Sequence, residues 1–570
     1  MSLSRLKRSF KLECLKTAAT DWLHFDRSTS PLWQILVICL AWLYLCSLHW
    51  HNDGLWFQGD SPRHASNAIF WKDFLLSVPV NPKEFALSFY ARYPVIDPIF
   101  YPPFFYLLEG TLFGLFGASP FLAKGLVLCF ALVAALYTSA WIRRWIALEA
   151  GWAGALVLLS PGIVTWSHAV MLNVPAYALT VAYLYHTREW FESQLPRQFH
   201  LMLLLGLLAI LTYYQAGVIV FITCVWLIAL RRWHLLKNRR VFLPIAVIAI
   251  LLLPSFVLVF KWAPIILGWL TPKATLFWSM RQWAFYPNEL PRLLGLPIAI
   301  LAIAGACCGL RKPRWRHETV LLTIWIATTY FLFSTIKVLD ARYILALTTP
   351  FVCLSIIFVL STMEWLKERF CGRKTSVQAG AAVAICSIVV VQAWLASEVK
   401  IHNVKGFEEV AVFLEHAASD ELVLYDGRYD GIFTFNVLAR DRDFQRGVVL
   451  ADKLLDGVRF ERVNNGQPYD LSPQSVLEVL KTRAGCEWLA VMVDDQSEMS
   501  FESRCLRDAL GGPQFKLVKS FPIISPRRTA RVDLYHLLIP VEKPGYIDIP
   551  FKKIGNKAIY RIRPISKKDR

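Results

Sequence analysis

Ile99-Phe-Tyr-Pro-Pro-Phe-Phe-Tyr-Leu-Leu-Glu-Gly-Thr-Leu-Phe-Gly-Leu-Phe116 is the stretch on which the architecture turns. It is apolar enough to be considered a membrane span, yet Pro102, Pro103, Glu109, Gly110 and Gly114 interrupt it. If it crosses, every later loop changes side, and the clusters Arg143-Arg144, Arg231 to Arg240, Arg311 to Arg316 and Lys367 to Lys374 all face outward. If it lies along the outer interface, those clusters join Arg5, Lys7, Arg8, Lys11, Lys16 and Arg27 in the cytoplasm. Basic loops stay cytoplasmic, so the stretch is assigned as interfacial or re-entrant.

The rest of the composition agrees with a chain solvated by lipid. Of 570 residues, 56% are hydrophobic and 14% aromatic, too apolar for a soluble globule of ordinary usage. A net charge of +19 suggests nucleic acid at first sight, but the excess Lys and Arg sit in short clusters between apolar runs, so no nucleic-acid partner is expected. None of the twelve cysteines forms a Cys-x-x-Cys pair. Cys486 and Cys505 lie in the polar C-terminal part, where either a disulfide or two free thiols is compatible with an extracytoplasmic setting. The first apolar run, Leu32 to Trp50, has no small-residue cleavage site and reads as a signal anchor.

With the interfacial assignment, further spans fall at about 122–142, 151–167, 171–187, 200–213, 215–230, 241–262, 293–310, 318–335, 342–364 and 377–397, about eleven in all. The expected plan is a cytoplasmic basic segment 1–30, a polytopic helical domain 31–398 with a first outer loop 51–121, and an extracytoplasmic domain 399–570. In that last part a helical pattern at Phe407 to Ala418, an apolar strand at Leu422 to Tyr425, a second helix at Pro473 to Thr482 and a second strand at Trp488 to Val493 predict an α/β or α+β domain. Its basic end, Lys552 to Arg570, suits contact with anionic head groups.

Topology then gathers the chemistry on the outer face. Gly59-Asp-Ser-Pro-Arg-His-Ala65 opens an amphipathic aromatic stretch in the first outer loop, and Asp60 is the candidate general base. The plainer role for Asp60 is to cap the helix that Ser61-Pro62 begins. Arg63, Lys72, Lys83 and Arg92 are cations able to offset a phosphate. Asp97 and Tyr101, His168 and Asn173 in the second outer turn, and Lys337 to Tyr343 at the mouth of a later span share that side. Lys337 or Arg342 holding a lipid phosphate competes with an ordinary Asp340 to Arg342 ion pair.

At these motifs the chain resembles a known family. Asp60-Ser-Pro-Arg63-His-Ala65 is similar to the Asp-Glu-x-Arg-Tyr-Ala segment of bacterial GT-C glycosyltransferases of the protein O-mannosyltransferase superfamily, which includes the lipid A aminoarabinose transferases. Tyr101-Pro-Pro-Phe-Phe-Tyr and Arg342-Tyr343-Ile-Leu-Ala-Leu-Thr-Thr-Pro350 resemble two further segments of that family, in the same order. The resemblance covers roughly residues 30 to 400. It implies a polyprenyl-phosphate-sugar donor, inverting transfer to a lipid, glycan or protein acceptor on the outer face of the inner membrane, Asp60 as base, and Arg63 and Arg342 on the donor phosphate. Three positions depart from the family pattern: Ser61 replaces a second acid, Tyr101 a His or Lys, and Asn173 an Asp. Without the second acid, a divalent metal held by adjacent carboxylates has little support, and no cofactor is expected. Two other readings remain, a lipid or glycan transporter and a noncatalytic relative of the glycosyltransferases, the latter kept open by the three departures.

Overall fold

A computed structural model describes residues 31–49, 54–56, 60–97, 100–270, 279–336, 338–370, 374–418, 422–442, 444–464, 471–494, 499–525, 528–542, 547–551 and 558–562. The basic segment 1–30, Gly59, Lys337 and most of the basic end at 552–570 lie outside the described residues.

The membrane half is a bundle. Helices α1 (Leu32–Ser47), α2 (Asp60–Ser77), α3 (Pro82–Arg92), α4 (Phe104–Phe116) and α5 (Pro120–Trp145) lead into a broken element. That element, expected as one span at 151–167, is a 3-10 turn at Leu148–Gly154, then α6 (Ala155–Leu158) and α7 (Pro161–Ser167), bent by 56°. Pro161 has no amide hydrogen to continue a helix through Ser160, which accounts for the break. There follow α8 (Asn173–Ser193), α9 (Pro196–Thr212), α10 (Val218–Ala229), α11 (Arg239–Leu270), α12 (Met280–Leu294), α13 (Leu296–Arg311), α14 (Pro313–Ser334), a 3-10 turn at Ala341–Leu347, α15 (Thr348–Arg369) and α16 (Lys374–Ser397). Every expected span thus falls on helix, and the break at Tyr213 keeps α9 and α10 separate.

By length and apolarity, three helices among the described residues qualify as membrane-crossing, or five if each bent pair is one span. Leu32–Ser47, Phe104–Phe116, Pro196–Thr212, Tyr214–Ala229 and Ala382–Ser397 are shorter apolar helices. Phe104–Phe116, expected to be interfacial, thus falls in the same class as four helices expected to cross, from which length alone does not separate it. It lies on α2 through Gly110, where a Cβ would stand 2.5 Å from the Ala68 carbonyl oxygen. Gly305 likewise lets α13 approach α15, since a Cβ there would meet the Leu354 carbonyl oxygen at 1.8 Å.

One end of the bundle collects the basic loops. Lys312 and Arg314 pair with Glu364 at 2.7 and 3.2 Å, Arg144 pairs with Glu189 at 3.2 Å, and the Trp315 indole donates to the Ile146 carbonyl at 3.3 Å. The basic clusters at 143–144 and 311–316 are thus neighbours in space.

The C-terminal part is an α/β sheet. After β2 (Asn403–Val404), which pairs with β1 (Leu55–Trp56), come α17 (Phe407–Ala417), β3 (Leu422–Asp426), α18 (Asp430–Arg440), β4 (Gly447–Leu450), α19 (Ala451–Asn464), α20 (Pro473–Val479), β5 (Trp488–Asp494), α21 (Phe501–Leu510), β6 (Phe515–Ser525) and β7 (Arg528–Leu537). The order is β4-β3-β5-β7-β6, with β3 parallel to both neighbours and β7 antiparallel to β5 and β6. β8 (Ile547–Phe551) and β9 (Ala558–Ile562) form a separate hairpin.

One sheet face has its own core, which includes Cys486 and Cys505 as buried free thiols. The other face shares a core with the first outer loop: Ile69 and Phe70 of α2 and Phe89 of α3 pack in one cluster with Phe407, Tyr425, Phe433 and Phe521. Each such ring contributes about 1.5–3 kcal/mol by burial. The loop bearing Asp60 is therefore fixed between bundle and sheet.

Candidate active site

Asp60 is the first residue of α2 and its side chain is 32% exposed. Two guanidinium groups flank it. Arg63, one turn along the same helix, places Nη1 3.6 Å from Oδ1, and Arg342 places Nη2 3.5 Å from Oδ2. Ser61 is fully buried, and its hydroxyl accepts the Val170 amide at 3.1 Å, tying the start of α2 to the turn between α7 and α8. The Ser that replaces a second acid is thus a clamp.

Arg342 begins the 3-10 turn. Asp340 caps that turn by accepting the Arg342 amide at 3.1 Å, and its Oδ2 lies 3.0 Å from the Arg342 Nε. The expected ion pair with Asp340 is therefore present, and the same guanidinium also reaches Asp60. Its Nε nonetheless has no acceptor in hydrogen-bonding line. The guanidinium lies 5.7 Å from the ring centres of Trp166 and Tyr343 and 4.0 Å from the Met171 sulfur, so α7 and the outer turn wall it in.

Arg63 and Asn67 stand one turn apart on α2 and hold the loop that follows α3. Arg63 Nε donates to the Val95 carbonyl at 3.3 Å. Asn67 accepts the Asp97 amide at 2.8 Å and donates to the Asp97 carbonyl at 3.2 Å. Tyr101 follows, its ring 4.9 Å from that of His64 and 6.1 Å from that of Tyr213. Burial and the nearby Asp60 charge push the Tyr101 phenol up, so it remains a donor. His64 faces inward, 2% exposed, with Nδ1 2.7 Å from the Tyr106 hydroxyl. Burial, with the Arg63 and Arg342 charges, lowers it to about 3, leaving it neutral. Asn67 and Tyr213 are the residues that sequence reasoning missed. The break at Tyr213 was the available signal for one; nothing local marked the other.

Other expected members do not assemble here. His168 places Nδ1 against the Val164 carbonyl at 2.8 Å, with its ring edge-on to His49, and Asn173 is buried at the start of α8. No hydrogen bond or ion pair joins either of them to Asp60, Arg63 or Arg342. Lys337 lies outside the described residues. Lys72 pairs with Asp73 at 3.2 Å while its stem covers Gly114, and Arg92 is buried, donating to the Phe444 carbonyl under the shared core. Neither suits a phosphate at Asp60. Lys83 is exposed on α3.

The donor set does not suit a metal on Asp60 either. The carboxylate that shares its surroundings, Asp340, is separated from it by the Arg342 guanidinium, and among the described residues no three His, Cys, Asp or Glu side chains are placed to share an ion.

A helical bundle with Asp60, Arg63, Asp340 and Arg342 at one end, docked to an α/β unit, has the GT-C fold that the motifs resemble. The chain is similar in structure to ArnT from Cupriavidus metallidurans bound to undecaprenyl phosphate, with a TM-score of 0.58 and 14% identity over 88% of this chain and 98% of that one. It is also similar to the archaeal oligosaccharyltransferase AglB from Archaeoglobus fulgidus in complex with an inhibitory peptide and a dolichol-phosphate (TM-score 0.51, 12% identity, 80% of this chain and 69% of that one). A third similar structure is the arabinofuranosyltransferase AftD from Mycobacteria (TM-score 0.50, 14% identity, 91% of this chain and 41% of that one). All three are GT-C glycosyltransferases. No family model and no curated protein sequence matches the chain.

Proposed function

We propose that the chain is an inner-membrane glycosyltransferase that moves a sugar from a polyprenyl-phosphate donor to an envelope acceptor on the outer face, with Asp60 as general base. The observation that carries this is the part-exposed Asp60 carboxylate with guanidinium groups 3.5 and 3.6 Å away, in a bundle of GT-C fold. An acceptor hydroxyl attacks the anomeric carbon, its proton passes to Asp60, and the bond to the phosphate oxygen breaks with inversion. The leaving group is already a stabilised anion, so the chain has to orient the hydroxyl, take its proton and hold the growing phosphate charge.

Arg342 and Arg63 perform the last task. Their contacts with Asp60 are longer than charge-assisted hydrogen bonds usually are, so donors remain for phosphate oxygens. Arg63 is tethered by the Val95 carbonyl and Arg342 by Asp340, so both guanidinium groups are held in place beside Asp60. Lys337 is a third phosphate ligand in this reading; Tyr101, Tyr343 and the Asp97 loop flank Asp60 and its arginines, with the buried His64 behind them. The same reading takes about eleven spans with residues 399–570 outside, which would set all of these on the outer side.

Membranes supplied with radiolabelled undecaprenyl-phosphate sugars test the reading. Label should pass to an envelope glycan or glycolipid with the native chain and not with Asp60→Asn. Full transfer by that variant overturns the mechanism.

A further inference from the structure

The parallel strands β4, β3 and β5 end side by side at Leu450, Asp426 and Asp494. The chain passes from β3 outward to β4 and then back across β3 to β5, so the winding direction reverses at β3. Helices leaving on either side of such a reversal open a crevice beyond the carboxyl ends of the strands. A cavity of about 190 Å³ lies there, far in sequence from Asp60 and Arg342.

Asp426 forms its floor. It is 3% exposed; Oδ1 accepts the Ser503 hydroxyl at 2.6 Å, while Oδ2 accepts no hydrogen bond, with Arg507 Nη2 standing 3.6 Å off. Arg507 gives Nη2 to the Met492 carbonyl at 2.6 Å, and its Nε is buried without an acceptor. A buried carboxylate oxygen that lacks a donor is costly to leave so, and here it lines an open cavity. Asp430 and Asp452 are exposed on the rim, with Asp494 half-buried beside them and Arg428 opposite the aliphatic wall.

Four carboxylates against two guanidinium groups make the crevice acidic, which disfavours phosphates and carboxylates. The acids do not converge on one point, since no three among the described residues can share an ion. An ionised Asp is an acceptor only, so the crevice asks for hydroxyl donors on a small, uncharged, polar body. A sugar ring meets that description.

The crevice also adjoins the membrane-side site. Lys453, next to Asp452, donates to the Pro94 carbonyl at 2.7 Å and stands 5.6 Å over the Tyr90 ring, while Arg63 holds the neighbouring Val95 carbonyl. The Tyr90 phenol, pushed up chiefly by burial, also feels the charges of Asp97 and Arg63 and of the rim residues Asp430 and Asp452.

We propose that this crevice binds an uncharged saccharide through Asp426, Asp430 and Asp452, and that the saccharide is part of the acceptor. Only the second half rests on the transferase reading. The full chain in lipid nanodiscs free of glycoside detergent is examined by saturation-transfer-difference NMR with the methyl glycosides of glucose, galactose and mannose. At least one should show transfer, falling by roughly tenfold or more in Asp426→Asn and in the exposed Asp452→Asn, as expected for a hydrogen bond to a charged group. It should persist in Asp60→Asn. No transfer to any of the three glycosides overturns the proposal, as does transfer that survives both crevice substitutions or vanishes with Asp60→Asn. Retained binding in an Asp60→Asn chain that no longer moves sugar separates the crevice from the catalytic reading.

Discussion

At the start of α14, Glu318 is closed in: the Trp141 indole donates to one oxygen at 2.9 Å, Arg188 Nε donates to the other at 3.3 Å, and the carboxylate is 4% exposed. Beyond the opposite end of α14, Arg342 meets Asp60 only at 3.5 Å, Asp60 is 32% exposed, and the Arg342 Nε has no acceptor in line. Both are arginine–carboxylate arrangements on the same helical frame. One has every strong group satisfied among fixed neighbours and acts as a strut. The other leaves Asp60 part-exposed and the buried Arg342 Nε out of line with Asp340, an imperfect pairing that a ligand would complete.

The largest expected effect breaks the open site. Asp60→Asn should lower sugar transfer by roughly 10²- to 10⁴-fold, the usual yield of a positioned general base, while changing thermal stability little because exposed pairs contribute about 0–1 kcal/mol. Activity assays and melting curves on the same preparation check both halves. The reverse profile is expected at the strut: Glu318→Ala leaves Arg188, buried against Trp145, with only the more exposed Glu192 at 3.5 Å and strands the Trp141 indole, and should destabilise the fold by about 1–3 kcal/mol. Molecules that remain folded should transfer sugar at the native rate. A stable Glu318→Ala chain with lost transfer would erase the distinction between the two ends.

Arg342→Lys sharpens it. Lys keeps the charge but loses the planar fork that can hold Asp60 and a phosphate together. Transfer should fall by roughly tenfold, chiefly through a raised KM for the donor, and the variant should melt with the native chain. A loss confined to kcat with KM unchanged would place Arg342 on the reacting centre instead of the donor phosphate.

Much of this contrast was legible before any coordinates. The basic clusters around Arg144, Arg311 and Lys367 forced Ile99 to Phe116 out of the membrane-crossing set, and that alone put Asp60 and Arg342 on one side although 282 residues separate them. The bundle helices followed from apolar length and two strands of the sheet, β3 and β5, from short apolar runs, whereas β4, β6 and β7 were not read from the sequence. What stayed hidden depended on contacts that no local pattern encodes. Arg92 reads as a free cation and is in fact buried under Phe444, because the sheet docks on the first outer loop. Asn67 reads as one polar residue on an amphipathic helix and is the two-way clamp on Asp97. The span expected at 151–167 contained its own warning in Ser160-Pro161, which helical apolarity outweighed.

The smallest effect concerns how the open site keeps its charge balance. His64 sits beneath Asp60 and Arg63, faces Tyr101 and Tyr106, and is held neutral down to about pH 3 by burial and by Arg63 and Arg342, against the pull of Asp60. In the unfolded chain the same imidazole protonates near pH 6.5. Below that pH the unfolded state therefore gains a proton that the folded state refuses, and stability present above pH 6.5 is lost as the pH falls toward 3. By pH 5.5 the loss is about 1 kcal/mol from this residue alone. His64→Asn retains a group able to meet the Tyr106 hydroxyl and removes the titration. The native chain should thus lose more melting temperature than the variant between pH 7.5 and 5.5, every other group titrating alike in both. Equal losses would mean that His64 accepts a proton within the fold, making it a third cation beside Asp60 and leaving the two arginines without sole charge of the donor phosphate.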